Sequence, residues 1–318
     1  MAVVMIFSVT TAIFFLVHLM PGSPYSLMLH QLLKQGYTMT QAINLVKELF
    51  GFNPNEPLLA QYWNYLTLLA HGNLGTSLMY PGQSVLVLIA HAIPWTLFIV
   101  SISLLVSFGI GVILGAVAAY ARNTWLEKLL TVGSSLLNGI PQYLTAILLF
   151  YFLAVLGQFF PMGGAYDPAV APGFNLPFAG SVLNHAILPI LAFVLSSFAG
   201  WTLSMKSSTV SVLGEDFINV AKAMGVRERH IMLDYVTKNA ILPVFTSFVI
   251  SIGFMFGGSL FVEQVFNYPG MGQLFLNATS SHDFTLMEGC FLLLTTAVIL
   301  ANLAADLLYS KLDPRIKS

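Results

Sequence analysis

Charged side chains are scarce in this sequence. Only 8% of its 318 residues are Asp, Glu, Lys or Arg, whereas soluble domains carry about 25%. Hydrophobic residues make up 57% of the chain and the mean hydropathy is +0.82. So few charges cannot cover the surface of a water-soluble fold of this length, and the sequence therefore predicts an integral membrane protein.

Other features are missing as well. The single cysteine, Cys290, excludes an internal disulfide and any site that needs several cysteines. The net charge of −1 implies no nucleic-acid partner. No G-x-x-x-x-G-K-[ST] phosphate loop, H-E-x-x-H pattern or Ser/His/Asp triad order is present. The sequence thus predicts a chain with no catalytic residue, metal or cofactor of its own, and a structural role for His18.

Long apolar runs take the place of charge. A membrane-crossing helix needs about 20 apolar residues, and six stretches qualify: 2–20, 93–119, 129–157, 184–205, 241–262 and 286–309. Because helices satisfy the backbone within lipid, the prediction is an all-α polytopic protein with six transmembrane helices. The first stretch lacks the basic region of a secretory signal and is interpreted as a retained span.

Basic residues predict the orientation. With six spans both termini lie on one side, together with the loops 120–128 and 206–240. Ten of the twelve Lys and Arg residues fall on that side, and only Lys34 and Lys47 fall on the other. The positive-inside rule makes the first side cytoplasmic.

The external segments are predicted to be more than connectors. Thr38 and Gln41 are spaced as a capping box for one short helix, and Pro57 suits the first turn of a second. The loop 158–183 is rich in Pro and Gly and is interpreted as irregular. Asp283 and Glu288, at the external end of the last span, are expected to reach water.

The stretch GEDFINVAKAMGVRERHIMLDYVTKNAILP, residues 214–243, holds eight of the 25 charged residues. Within it, an apolar stripe at helical spacing precedes Gly225, which suits a helix end, and a second helical piece follows. The stripe is formed by Phe217, Val220, Ala221 and Met224. Two interpretations stay open: a rigid protrusion that docks into a groove of another protein, or a solvated loop whose stripe lies on the membrane surface.

This stretch resembles the coupling loop of ABC-importer permeases of the dipeptide, oligopeptide and nickel group. The matching residues are Glu215-Asp216-Phe217, Ala221, Ala223, Gly225 and Asn239-Ala240-Ile241-Leu242-Pro243. Three further segments resemble family signatures: GIPQYLTAILLFYFLAVLGQFFPMGG (139–164), GGSLFVEQVFNYPGMGQLF (257–275) and NLAADLLYSKLDPRIK (302–317). The basic N-terminus usual in the family is missing, and Lys206 and Ser211 stand where it often has Arg and Glu.

The resemblance implies a type I ABC-importer permease fold and the first of two homologous membrane subunits. It implies three parts: a first transmembrane helix (1–20), an extracytoplasmic helical insert (21–92), and a five-helix core (93–318) whose coupling loop covers about 206–240. The coupling residues it implies are Glu215, Asp216, Phe217, Val220, Ala221, Met224, Gly225 and Arg227. For Gly225, a helix end with no role in partner binding remains the alternative.

The same resemblance implies the function and partners. The chain would be a permease subunit in the plasma (inner) membrane of a prokaryote, importing peptides brought by an external solute-binding protein. Two cytoplasmic ATPase subunits would bind ATP and Mg and hydrolyse the ATP, so this chain is not an enzyme. Oligosaccharides or nickel are alternative substrates within the family. An ion-coupled secondary transporter and a membrane-embedded enzyme are the alternatives from other classes.

The resemblance also assigns residues to a candidate outer gate. Glu263, Tyr268, Pro269 and Gly270 follow the fifth span externally and belong to a re-entrant hairpin in the family. A capped turn that only shapes the fold is the alternative. The small-xxx-small patterns GVILG (111–115) and GFMFG (253–257) predict close helix packing, within the chain or with the partner subunit.

Overall fold

Helices form the architecture of this protein. The structure, a computed structural model, describes residues 2–19, 29–30, 32–50, 56–80, 82–254 and 260–312. Within those ranges there is no β-strand, only an isolated antiparallel bridge between Thr76 and Ser84. The prediction of an all-α protein with several apolar helices is confirmed.

The helices follow one another in chain order, and two of them continue into π-helical segments. The π-helical segments Phe150–Leu156 and Ile231–Thr237 directly follow the helices Gln142–Leu149 and Glu228–His230. The helices are α1 Ala2–His18, α2 Met39–Phe50, α3 Leu58–Ala70, α4 Val85–Tyr120, α5 Trp125–Asn138, α6 Gln142–Leu149, α7 Leu176–Leu213, α8 Asp216–Ala223, α9 Glu228–His230, α10 Lys238–Phe254, α11 Leu260–Val265, α12 Met271–Ser280 and α13 Phe284–Leu312.

Three described helical stretches are long and apolar enough to cross a membrane: Val85–Tyr120, Leu176–Leu213 and Glu228–Ile252. The pair α5 and α6 passes the same test together but is bent by 93°, so a continuous helix over 129–157 is not formed. Gly139 and Pro141 stand at the break; Pro has no N–H to donate and disfavours helical geometry in the residue before it. Val4–His18 and Phe284–Leu300 are shorter apolar helices.

The chain divides into two compact units. One is built mainly from Met1–Thr96 and Pro269–Leu303, and the other mainly from Leu97–Met255 and Phe261–Tyr268. The core of the first unit joins side chains of α1, the start of α4, α12 and the start of α13; its fully buried members include Val85, Leu286 and Cys290.

The insert helices in the first unit form largely as expected. Thr38 and Gln41 bond reciprocally, with Thr38 N donating to Gln41 Oε1 (3.1 Å) and Gln41 N to Thr38 Oγ1 (3.4 Å), which confirms the capping box. Pro57 stands directly before α3. The rings of Tyr62 and Tyr65 on α3 lie 5.2 and 5.3 Å from that of Phe14 on α1, so aromatic contacts hold α3 against α1.

The prediction that Asp283 and Glu288 reach water is wrong. Asp283 is fully buried, and its Oδ2 accepts from Ser77 Oγ (2.5 Å) and from the backbone N–H groups of Leu78 (2.8 Å) and Met79 (2.9 Å). Its Oδ1 caps α13 by accepting from Leu286 N (3.0 Å). Glu288 is also buried. Four hydrogen bonds replace water around Asp283 and offset the free-energy cost of burying its charge.

In the second unit, α7 is the central element. Gly111 and Gly115 of α4 lie so close to α7 that an added Cβ would overlap Trp201 and Met205 respectively. The GVILG pattern therefore packs helices within this chain, while most of GFMFG falls outside the described residues. A cluster of Met205, Ala240 and Val244 fastens α10 to the same helix. The loop 158–183 is irregular only to Asn175, whose side chain caps α7 through the Phe178 N–H (2.8 Å).

Candidate functional site

The polar loop after α7 carries a short helix, α8, with two different apolar faces. Ile218 and Ala221 are buried and pack with Ile231 and Val236 of the following π-helical segment. Phe217, Val220 and Met224 lie on the neighbouring face and are 41%, 55% and 68% exposed. The predicted stripe is thus divided: Ala221 fixes the helix to its own chain, and the other three members face outward.

Gly225 ends α8 in a left-handed conformation, with φ of +74°. Gly225 N donates to Lys222 O (3.0 Å) and Val226 N donates to Ala221 O (3.1 Å), the paired bonds of a Schellman motif. Val226 packs against the cluster that contains Ala221, which completes the motif with its hydrophobic contact. A Cβ added at Gly225 would meet nothing within 4 Å, so only the backbone angle demands glycine.

The second helical piece of the loop is predicted from the sequence, but its π-helical winding is not. Residues Ile231–Thr237 form that segment. Tyr120, the last residue of α4, places its hydroxyl 3.0 Å from Met232 O and 2.6 Å from Thr237 Oγ1. π-Helical turns free backbone carbonyls and often occur at functional sites. Here the hydroxyl at the end of α4 satisfies one of those carbonyls and ties the loop to the spanning helix.

The charged residues of the loop remain at the surface. Glu215, Asp216 and Arg227 are exposed, and no side-chain cap bond is formed by Glu215 at the start of α8. His230 Nδ1 lies 2.7 Å from Asp234 Oδ2, and Lys238 Nζ lies 3.0 Å from Asp234 Oδ1. The outward face of α8 is therefore an apolar patch inside a strongly polar loop.

Lys206, where the family often has Arg, is fully engaged. Its ammonium bonds to Glu127 Oε1 (2.5 Å) and Thr131 Oγ1 (2.7 Å), both on α5. These two bonds hold the end of α7 against α5 just before the polar loop begins. Ser211, the other departure, is an exposed residue of α7.

The candidate gate residues fall in different units and are described separately. In the second unit, Glu263 and Tyr268 are fully buried, and Tyr268 N donates to Glu263 O (2.8 Å) to close the turn after α11. Gly164 N reaches both Phe266 O and Asn267 O of this turn at 3.2 Å. Pro269 and Gly270 belong to the first unit, where Gly270 precedes α12.

Sequence reasoning missed two residues that the structure makes important, and it placed a third, Asp283, in water. Ile218 is the buried anchor of α8, Tyr120 bonds the π-helical segment, and Asp283 holds the chain at residues 77–79. A signal existed only for Ile218, because it lies three positions before Ala221 on a helix. The other two act through residues more than a hundred positions away, which no local pattern reveals.

The chain matches the family described as "Binding-protein-dependent transport system inner membrane component" over residues 111–318. That match covers the second unit's polar loop, the candidate gate and α13. The chain belongs to this family of transport permeases, in agreement with the resemblance of its motifs.

Full-length relatives agree with the family match. A Brucella suis protein named as a peptide permease is 35% identical over 98% of this chain and 95% of its own length. The oligopeptide transport system permease protein AppB of Bacillus subtilis is 30% identical over all of this chain and 96% of its own. The nickel import system permease protein NikB of Staphylococcus aureus is 30% identical over 98% of this chain and 88% of its own.

Proposed function

We propose that this chain is a membrane-spanning subunit of an ATP-driven ABC importer and forms half of a translocation path for peptides. Its family membership and two relatives named for peptide transport support this assignment. An extracytoplasmic binding protein delivers the peptide, and a homologous second permease subunit completes the path. Two cytoplasmic ATPase subunits bind ATP and Mg and do the hydrolysis.

The coupling element is α8, and its outward face is the observation that carries the proposal. Phe217, Val220 and Met224 are exposed on one face of α8. Ile218 and Ala221, on the neighbouring face, pack the helix against its own chain. Burying a large apolar side chain stabilises an interface by about 1.5–3 kcal/mol. Seated in a groove of an ATPase, this face would transmit closure of the ATPase dimer to α7 and α10 as a rigid displacement.

The topology proposed for this function has six spans. Three long helical stretches, the bent pair and the two shorter apolar helices supply them if each crosses the membrane. The parts are then the first span (1–20), the external insert (21–92) and the five-helix core (93–318). Both termini and the polar loop would lie in the cytoplasm, which the distribution of basic residues supports.

The outer gate is proposed at the turn that follows α11. Glu263 and Tyr268 are buried there, and the backbone of this turn is bonded to Gly164. Because large buried side chains on a tight turn move together, displacing the turn would shift both at once. Pro269 and Gly270 follow in sequence, belong to the first unit, and are assigned to the gate by the resemblance alone.

Nickel is the second candidate substrate, since one relative is named for nickel import. The described residues contain no group of three or more His, Cys, Asp or Glu placed to hold a metal ion, but a translocation path need not bind its cargo tightly. Oligosaccharides are a further alternative within the family. Uptake of labelled dipeptide, nickel and oligosaccharide by cells with and without this chain distinguishes the three.

Docking of α8 is tested by purifying the tagged chain from its native host in mild detergent and measuring the mass of the intact complex. Wild type should bring down two ATPase subunits and one homologous membrane chain. The double variant Val220→Asp/Met224→Asp should lose the ATPases, because it places two charges in an apolar contact. Asn219→Asp, which adds one charge on another exposed face of the same helix, should keep them.

Two results would contradict the proposal. One is a wild-type complex that contains no ATPase, which would favour an ion-coupled secondary transporter. The other is equal ATPase recovery from the double variant and the control, which would mean that the exposed face of α8 lies on the membrane surface instead.

A further inference from the structure

The first unit contains a small polar cavity that the proposed transport mechanism does not use. Its volume is about 60 Å³, enough for a few water-sized groups. Its walls are α1, α3, the turn after α3 and the start of α13. Phe14 and Glu288 form its buried floor, and Asn64 and Asn73 stand exposed at its rim. The other polar lining residues are His18, Gln61, Tyr65 and Thr285.

The carboxylate of Glu288 is the unusual group in this cavity. The residue is only 5% exposed, and its Oε1 has no hydrogen-bond partner among the described residues. His18 Nδ1 lies 3.3 Å from that oxygen, but it lies 2.9 Å from the carbonyl oxygen of Phe14. A carbonyl only accepts, so the nearer partner of Nδ1 is Phe14 O rather than the carboxylate.

The imidazole of His18 is therefore the one potential cation among the residues that line the cavity, and at 3.3 Å it leaves Glu288 Oε1 without a hydrogen bond. No lysine or arginine is present among its lining residues. A buried carboxylate that lacks donors is costly, and proteins normally pair such a group with a cation or with several hydrogen bonds. By contrast, Asp283 nearby in sequence is buried with four donors. Because Glu288 Oε1 has no such donors, it can accept from a bound ligand.

We propose that this cavity binds a primary ammonium group, with Glu288 as its counter-ion. An ammonium carries three N–H donors on a compact charge, which suits one carboxylate oxygen together with neutral oxygen acceptors. Asn64, Tyr65 and Thr285 line the cavity, and each carries a side-chain oxygen that can accept a hydrogen bond. The volume admits an ammonium head and one or two carbons, so the rest of a larger ligand would extend past the exposed rim.

The aromatic side chains favour an organic cation. The ring of Phe14 stacks with that of Tyr65 at a centroid distance of 5.3 Å and with that of His18 at 4.0 Å. Cations are attracted to ring faces, most strongly where water is excluded. Burial and, after it, the Glu288 carboxylate raise the pKa of the Tyr65 phenol, so Tyr65 stays neutral and adds no second negative charge.

The test measures equilibrium binding of radiolabelled methylammonium to the purified transporter complex in discs of uncharged lipid. Wild type should bind it saturably. Glu288→Gln, which keeps the shape and removes the charge, should weaken binding at least about tenfold. Asp167→Asn, which neutralises an exposed acid in the other unit, should leave binding unchanged. Asn64→Asp, which adds a carboxylate at the exposed rim, should tighten binding several-fold.

Competition identifies the source of the ammonium group. Displacement by a dipeptide with a free amino terminus, but not by its N-acetyl form, would show that a peptide terminus enters the cavity. Displacement by neither would assign the site to free small amines. The proposal is overturned if wild type shows no saturable binding at millimolar concentration, if Glu288→Gln binds as wild type does, or if sodium displaces methylammonium equally well. None of these readouts depends on transport or on ATP hydrolysis.

Discussion

Gly225 shows how one backbone angle sets the end of the proposed coupling helix. Its φ of +74° is a conformation that costs an L-residue with a side chain about 1–2 kcal/mol. Open space surrounds the position where a Cβ would lie, so no clash adds to this cost within the chain. Any larger effect of a side chain here would have to arise from a partner.

Two substitutions at Gly225 separate conformation from contact. Gly225→Val should loosen the Schellman motif and weaken ATPase binding by about tenfold, since about 1.4 kcal/mol corresponds to that factor. Gly225→Asn should stay close to wild type, because Asn adopts the left-handed conformation readily. Titration of the purified membrane subunits with labelled ATPase measures both. If Asn were as harmful as Val, a partner would have to press directly on this position.

The division of the apolar stripe explains what the sequence could and could not predict at this site. Phe217, Ile218, Val220, Ala221 and Met224 cover two adjacent faces of one short helix. Periodicity identifies the helix, but it cannot tell which apolar face is buried in the same chain. That choice depends on Ile231 and Val236, which arrive from the next segment. The position of Gly225 at the helix end, in contrast, depends on local geometry and was predictable.

At the scale of elements, the buried Asp283 joins two distant parts of the first unit. Its carboxylate accepts from the segment 77–79 and from the first turn of α13. Charged residues near a span end are usually hydrated, and for that reason the sequence favoured an exposed position. Three of the four donors that compensate its charge lie some 200 residues earlier in the chain, beyond the range of any local pattern.

Removing this carboxylate should destabilise the first unit. Asp283→Ala leaves the N–H groups of Leu78 and Met79 without their acceptor, and each buried unsatisfied group costs about 1–3 kcal/mol. We expect the thermal unfolding midpoint of the purified complex to fall by several degrees. Asp283→Asn, which keeps one acceptor oxygen, should fall less.

The matched control is Asp167→Ala. Asp167 is an exposed acid whose side chain accepts from the N–H of Ala169 (2.9 Å), so its removal should change the midpoint little. Equal midpoints for Asp283→Ala and wild type would mean that water replaces the carboxylate at no net cost. The bonds described here would then contribute nothing to stability.

The bend between α5 and α6 is a second feature of the helices that hydropathy did not predict. The segment 129–157 contains no charged residue and is mostly apolar, so a window of hydropathy shows one span. Gly139 and Pro141 carry the local signal for a break, and the structure bends there by 93°. Hydropathy measures only the preference for lipid, whereas the absent N–H of Pro141 and the steric demand on Ile140 determine the backbone path.

At the scale of the whole molecule, composition was sufficient for the class of protein and motifs were sufficient for the family. Composition and motifs do not give the number of membrane crossings. Three described helices qualify by themselves, and a fourth crossing requires the bent pair to count as one span. Two shorter apolar helices complete six. The Tyr120 hydroxyl contacts Met232 O and Thr237 Oγ1, so the end of α4 and the polar loop lie on one side, which fits a bent pair that crosses once, as α7 does.

Accessibility of single cysteines tests this point. With Cys290→Ala as the background, Asn123→Cys, Asp167→Cys and Glu228→Cys place one thiol each before the bent pair, after it, and in the polar loop. Six spans predict that a membrane-impermeant maleimide labels only Asp167→Cys in intact cells and all three after permeabilisation. If the bent pair re-enters without crossing, positions 123 and 167 share one side and Glu228 lies on the other. That result would put α8 outside the cell, where no ATPase could reach Phe217, Val220 and Met224, and would contradict the proposed coupling.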